Sequence, residues 1–214
     1  MQRVYIHALP VRIWHWTNAL SCVLLALTGI QIRYIGMINV VPFRIAVMAH
    51  NVIGFIIIAN FFLWLFYYLT SPKIRNYLPT LHWGRFFQDA MRQSLFYAFG
   101  VFKGEPNPHH VSMYHQFNPL QQVTYQIIML VVLPIQGLTG VLLWNLTGFA
   151  GIVDLLGGVR VVDTVHVLIF ALFLFFIPFH AYLASMGHTP LADFKAMWTG
   201  YEDLEEDERA DGAE

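Results

Sequence analysis

The chain has 214 residues, of which 57% are hydrophobic and only 12% charged, and its formal net charge is −1. Soluble domains carry about a quarter charged residues, so this composition argues against an ordinary water-soluble protein and for one that sits in a membrane. No nucleic-acid partner is expected; membrane lipid is.

Four stretches lack any Asp, Glu, Lys or Arg for long enough to cross a bilayer: Ile13–Ile32, Ile45–Pro72, Val123–Val153 and Thr164–Ala192. A spanning helix needs roughly 20 mostly apolar residues. The expected fold is all-α: an integral membrane four-helix bundle. Helix 1 is predicted from Val11 to Arg33. It is read as a retained helix because no Ala-x-Ala cleavage signal follows it. Cys22, the single cysteine, is a small apolar residue within it. Helix 2 is predicted from Phe43 to Thr70 and is stopped by Ser71-Pro72. Stretches such as Phe55–Leu69 are apolar almost all round, which suits lipid rather than water.

A long connection follows, from Ser71 to Asn118. From His82 to Val101 it shows a helical pattern. Arg85, Gln88, Asp89, Arg92 and Gln93 fall on one face, while Trp83, Phe86, Phe87, Ala90, Met91 and Leu95 fall on the other. This predicts a helix lying in the membrane interface on the cytoplasmic side, between helices 2 and 3. Pro106 and Pro108 end it. Helix 3 is predicted from Pro119 to Leu146 and helix 4 from Val161 to Met186. Residues 1–201 then form one transmembrane domain. Residues 202–214 form an acidic tail, expected to be disordered and solvated, with partner docking as a second reading.

Basic residues set the orientation. With the N-terminus inside, nine Lys and Arg fall in cytoplasmic segments (Arg3, Arg12, Lys73, Arg75, Arg85, Arg92, Lys103, Lys195, Arg209), and three fall outside (Arg33, Arg44, Arg160). Basic residues concentrate on the cytoplasmic side. Both termini of this multi-pass chain are therefore expected in the cytoplasm.

Of ten histidines, four lie inside the apolar spans: His15, His50, His166 and His180. Ionisable rings within a span are costly and usually face the bundle interior with a task. A lone one reads as a core residue bonded to a backbone carbonyl, but these four fall at two depths. His50 and His166 lie near the outer surface, and His15 and His180 near the inner one. The helix 4 pair is 14 residues apart, which is about 21 Å of rise with an angular offset of about 40°. Both rings thus point to nearly one face at different depths, as two haems stacked along a bundle axis would need. Zinc or copper sites take three or four ligands. A proton relay would want carboxylates, which the charge-free spans lack. With no Cys-x-x-Cys-His run, covalent c-type attachment is excluded. Gly29, Gly54, Gly137 and Gly140 could admit a flat macrocycle or simply pack helices. Arg12, Arg33, Arg44 and Arg160 could meet propionates or anchor the spans. A haem-free helical transporter or scaffold is the rival of another class.

The run His7-Ala8-Leu9-Pro10-Val11-Arg12-Ile13-Trp14-His15-Trp16, followed by Leu27-Thr28-Gly29, resembles the opening of the di-haem cytochrome b subunits. These serve bacterial formate dehydrogenases, nickel–iron hydrogenases and thiosulfate reductases. The resemblance implies two b haems, an inner one on His15 and His180 and an outer one on His50 and His166. It also implies a bacterial inner membrane, an iron–sulfur partner subunit, a catalytic oxidoreductase subunit, and exchange with menaquinone or ubiquinone at the inner haem. The segment from Tyr114 to Gln122 is similar to a formate dehydrogenase stretch that lines the quinone pocket. On that likeness Asn118 would donate a hydrogen bond to quinone, with Gln121 nearby. Leu120 and Gln122 depart from that pattern, standing where it has a glycine and a basic residue. Tyr114 or His115 could supply a proton path or belong to a plain loop. His7, His82, His109, His110 and His188 read as interfacial or solvated.

Overall fold

In the computed structural model, residues 2–71, 83–105, 108, 118–185 and 191–204 are described. Helix α1 runs Leu9–Arg33 and α2 runs Phe43–Thr70. The third span begins as α4, Pro119–Ile127, passes through a π-helical turn at Ile128–Val132, and continues as α5, Leu133–Trp144. Proline explains the interruption: Pro134 has no N–H for the carbonyl one turn back, and a wider turn absorbs the lost bond. The fourth span, α7, runs Val159–Ala184. These four spans are long and apolar enough to cross a membrane. Their side chains point largely outward, with Leu63, Phe66, Leu168 and Phe175 all more than 60% exposed. Exposed apolar surface on that scale requires lipid as its solvent.

Between α2 and α4 lies α3, Trp83–Leu95, extended by a π-helical turn at Phe96–Gly100 and a 3₁₀ turn at Val101–Lys103. An interfacial helix was expected here, but its faces divide differently. Gln93, assigned to the outward polar face, is 1% exposed and shares the buried face with Phe86 and Phe96. Phe87, Met91 and Leu95 are 65%, 62% and 53% exposed and form an outward apolar stripe. The cause lies in tertiary structure: the buried face meets α4, and Gln93 hydrogen-bonds the Tyr97 hydroxyl, which also accepts from Asn118 at the head of α4.

The connection between the third and fourth spans contains a six-residue helix, α6, Ala150–Leu155. Its Val153 packs with Leu142 and Val162 into a fully buried cluster. At the opposite end of the bundle, Val11, Trp64, Tyr68 and Met129 form a second cluster, which joins α1, α2 and the π-helical turn. A glutamine closes the first connection: the Gln31 side chain donates to the Val41 carbonyl and accepts from the Val41 N–H.

The chain then returns to its start, which the sequence reading did not foresee. Helix α8, Ala192–Thr199, lies against α1. Arg12 donates to the Trp198 carbonyl, at the helix end where a cation is favoured. Trp16 Nε1 donates to the Met197 carbonyl at 3.2 Å. Strand β2, Tyr201–Leu204, pairs antiparallel with β1, Gln2–Tyr5. The turn into β2 is built on Gly200, whose φ is +91°. A Cβ there would lie 2.7 Å from the Tyr5 ring and 2.9 Å from the His7 carbonyl. The first residues assigned to the acidic tail, Glu202 to Leu204, are thus in a strand. The rest of the tail lies outside the described residues.

Candidate haem-binding site

The four span histidines meet in twos. The His15 ring stands 6.2 Å from that of His180, centroid to centroid, with the planes at 53°. His50 and His166 stand 6.4 Å apart at 67°. Both members of helix 4, now α7, therefore meet a partner from a different helix: His180 meets α1, and His166 meets α2. Among the described residues, neither pair is joined by a third His, Cys, Asp or Glu to make a metal-binding group.

These separations fit one iron between each pair. A metal–imidazole bond is about 2 Å and a ring nitrogen lies about 1.1 Å from its centroid, so two imidazoles holding one iron from opposite sides would have centroids about 6 Å apart. Direct ring stacking would bring them closer. Glycines supply the room. A Cβ on Gly29 would stand 3.4 Å from His50 Cε1, and one on Gly140 would stand 3.3 Å from His166 Cε1. Gly54 lies one turn beyond His50 on the same face, and a Cβ there would meet nothing within 4 Å. Gly137 has another task, since its neighbour is Ile58 at 3.3 Å.

Hydrogen bonds orient the His50–His166 pair. Thr28 Oγ1 lies 2.9 Å from His50 Nδ1, and Thr139 Oγ1 lies 2.9 Å from His166 Nδ1. The sequence reading quoted Thr28 only as part of the opening motif and gave neither threonine a role. The His15–His180 pair is framed by rings instead. Trp16 meets His15 edge-on at 5.3 Å, Phe176 stacks on His180 at 5.5 Å and 13°, and Tyr125 meets His180 at 6.5 Å.

The other expected site residues fall elsewhere. Asn118 and Gln121 form a capping box at the start of α4: Asn118 Oδ1 accepts from the Gln121 N–H, and Gln121 Oε1 accepts from the Asn118 N–H. Asn118 is 2% exposed and its Nδ2 donates to the Tyr97 hydroxyl at 3.1 Å. From α4 it is Tyr125, about two turns further on, that meets His180. Of the span-end arginines, Arg12 holds α8 and Arg33 is paired with Asp163 at 3.2 Å. Tyr114, His115, His82, His109, His110 and His188 lie outside the described residues.

Residues 6–200 match the family model described as prokaryotic cytochrome b561. The chain belongs to the prokaryotic cytochrome b561 family. This bears out the resemblance drawn from the opening motif and the helix 4 histidines, and it implies haem b as the cofactor of a multi-pass membrane protein. Two curated relatives of this cytochrome stand out. "Putative cytochrome YdhU" of Escherichia coli (strain K12) is 35% identical, over 94% of this chain and 75% of its own. "Probable Ni/Fe-hydrogenase B-type cytochrome subunit" of Rhizobium leguminosarum bv. viciae is 28% identical, over 86% of this chain and 81% of its own. No solved structure matches.

Proposed function

We propose that the chain is the membrane cytochrome b subunit of a bacterial respiratory oxidoreductase complex. It holds one haem b between His50 and His166 and a second between His15 and His180, and so conducts electrons across the membrane. An iron–sulfur subunit, joined to a catalytic subunit, exchanges electrons at the His50–His166 end. Menaquinone or ubiquinone exchanges them at the His15–His180 end. When bound, the haems supply one-electron redox chemistry. The protein's part is to fix the imidazoles, keep the rings in an apolar interior and separate the two levels by about 21 Å.

The observation that carries this reading is the matched pair of ring separations, 6.2 and 6.4 Å, on helices that also face lipid. Nine basic residues against three support both termini in the cytoplasm of the inner membrane. Quinone exchange at that end rests on the family likeness of the segment before α4, whose Tyr125 borders His180.

A reduced-minus-oxidised spectrum of the purified protein tests the reading. A b-type α-band is expected. Its absence, or its full retention after His166→Ala together with His180→Ala, would refute the assignment. A second reading, in which the catalytic partner is a hydrogenase, is favoured by the likeness to the Rhizobium hydrogenase cytochrome subunit. Reduction of the haems by hydrogen in membranes that hold the whole complex would select it.

A further inference from the structure

The tripeptide Leu-Thr-Gly occurs at Leu27-Thr28-Gly29 on α1 and again at Leu138-Thr139-Gly140 on α5. Each copy faces one histidine of the same pair. In each, the glycine lets the ring approach within 3.4 Å of where its Cβ would stand, and the threonine before it meets Nδ1 at 2.9 Å. A third copy, Leu146-Thr147-Gly148, lies in the turn after α5 and provides an internal comparison.

The direction of the two hydrogen bonds follows from the threonines' other partners. Thr28 Oγ1 stands 2.8 Å from the Leu24 carbonyl and Thr139 Oγ1 stands 2.8 Å from the Ile135 carbonyl, so each hydroxyl hydrogen is donated to its own helix. The hydroxyl oxygen is then left to accept, and Nδ1–H must donate. Gln136 Nε2 stands 3.3 Å from His166 Nε2, a contact that a metal bound at that nitrogen would displace. Both rings are held as the tautomer whose Nε2 can bind iron. The other pair differs. His15 Nδ1 is buried with no hydrogen-bond partner among the described residues.

We propose that Thr28 and Thr139 are paired positioning residues that fix the tautomer of His50 and His166 and set the haem between them at a lower midpoint potential than the haem between His15 and His180. A hydrogen bond from the outer nitrogen makes an imidazole more basic and a better donor to the metal, which favours the oxidised iron. Two such bonds act on one haem, and His15 lacks its counterpart on the other. The resulting order favours electron flow from a reduced iron–sulfur cluster at the His50–His166 end towards quinone at the other. This inference rests on the two-haem reading above.

The experiment is a redox titration of the purified full-length protein, followed at the α-band. The wild type must first show two b-type midpoints; a protein without them fails the underlying reading, not this one. Thr28→Val and Thr139→Val keep the side chain's shape and remove the hydroxyl. Each is expected to raise the lower midpoint and leave the upper one in place, while Thr28→Ser and Thr139→Ser restore the wild-type value. Thr147→Val is expected to move neither. An unchanged lower midpoint in both valine variants with both haems retained, or a shift of the upper one instead, would overturn the proposal. If a valine variant loses the haem altogether, its serine counterpart decides. Recovery of the haem at the wild-type lower midpoint supports the clamp, and continued loss overturns it.

Discussion

Gly140 on α5 stands directly against His166 on α7, so that a Cβ on the glycine would be 3.3 Å from His166 Cε1. A methyl group there is a tight contact that a small shift can relieve, but a branched side chain requires the ring to move. Gly140→Val is therefore expected to lose the haem at His50–His166 and keep the other, halving the α-band per chain. Gly140→Ala should retain both. Haem content per mole of purified protein checks this.

Gly200 holds the return of α8 to α1. Its φ of +91° is strained for any L side chain, and an added Cβ would press on Tyr5 and the His7 carbonyl. Such a backbone outlier costs on the order of 1–3 kcal/mol. Gly200→Ala should lower the thermal midpoint in detergent while leaving the reduced-minus-oxidised spectrum unchanged, because the strap contributes no ring to either histidine pair.

Asn118 caps α4, and replacing such a cap with alanine costs about 1 kcal/mol. Asn118→Ala should be destabilised by roughly that amount, and Asn118→Ser, which preserves a capping oxygen, should be destabilised less. Thermal unfolding of the three proteins side by side provides the measurement.

Tyr97 sits outside the spans, and burial pushes its phenol up from its ordinary value, against the opposing hydrogen bonds of Gln93 and Asn118. A raised value means that the unfolded chain loses the proton first. The ring's contribution is therefore intact through neutral pH and falls only above pH about 10. Tyr97→Phe should remove that part of the alkaline loss, which a comparison of unfolding midpoints at pH 8 and pH 11 would reveal.

Much of this was legible in the sequence, for physical reasons that also explain the misses. Lipid leaves long charge-free runs, so the four spans and the depth of each histidine could be read from residue order, and helical rise placed His166 and His180 on one face. The role of Thr28 and Thr139 was silent, although Thr28 stood in the opening motif, because a threonine in a span commonly bonds back to its own helix, and nothing local reveals that its oxygen also meets a ring on another helix. Gln93 was assigned outward because an amide was taken to seek water, whereas its partner Tyr97 comes from the next turn and is itself held by Asn118 from another helix. Asn118 and Gln121 looked like ligand donors when read by likeness. The spacing of three that makes them a capping box was visible in the same letters. The return of α8 rests on Arg12 and Trp16 meeting backbone carbonyls, and a carbonyl carries no sequence signal.

The central claim is that two histidine pairs hold two haems. The most direct measurement is the molar ratio of haem b to chain in purified wild type, His166→Ala, His180→Ala and the double variant. The account predicts two, one, one and none, with the two single variants losing different midpoints. A single haem in the wild type, or a haem that survives the double substitution, would contradict it.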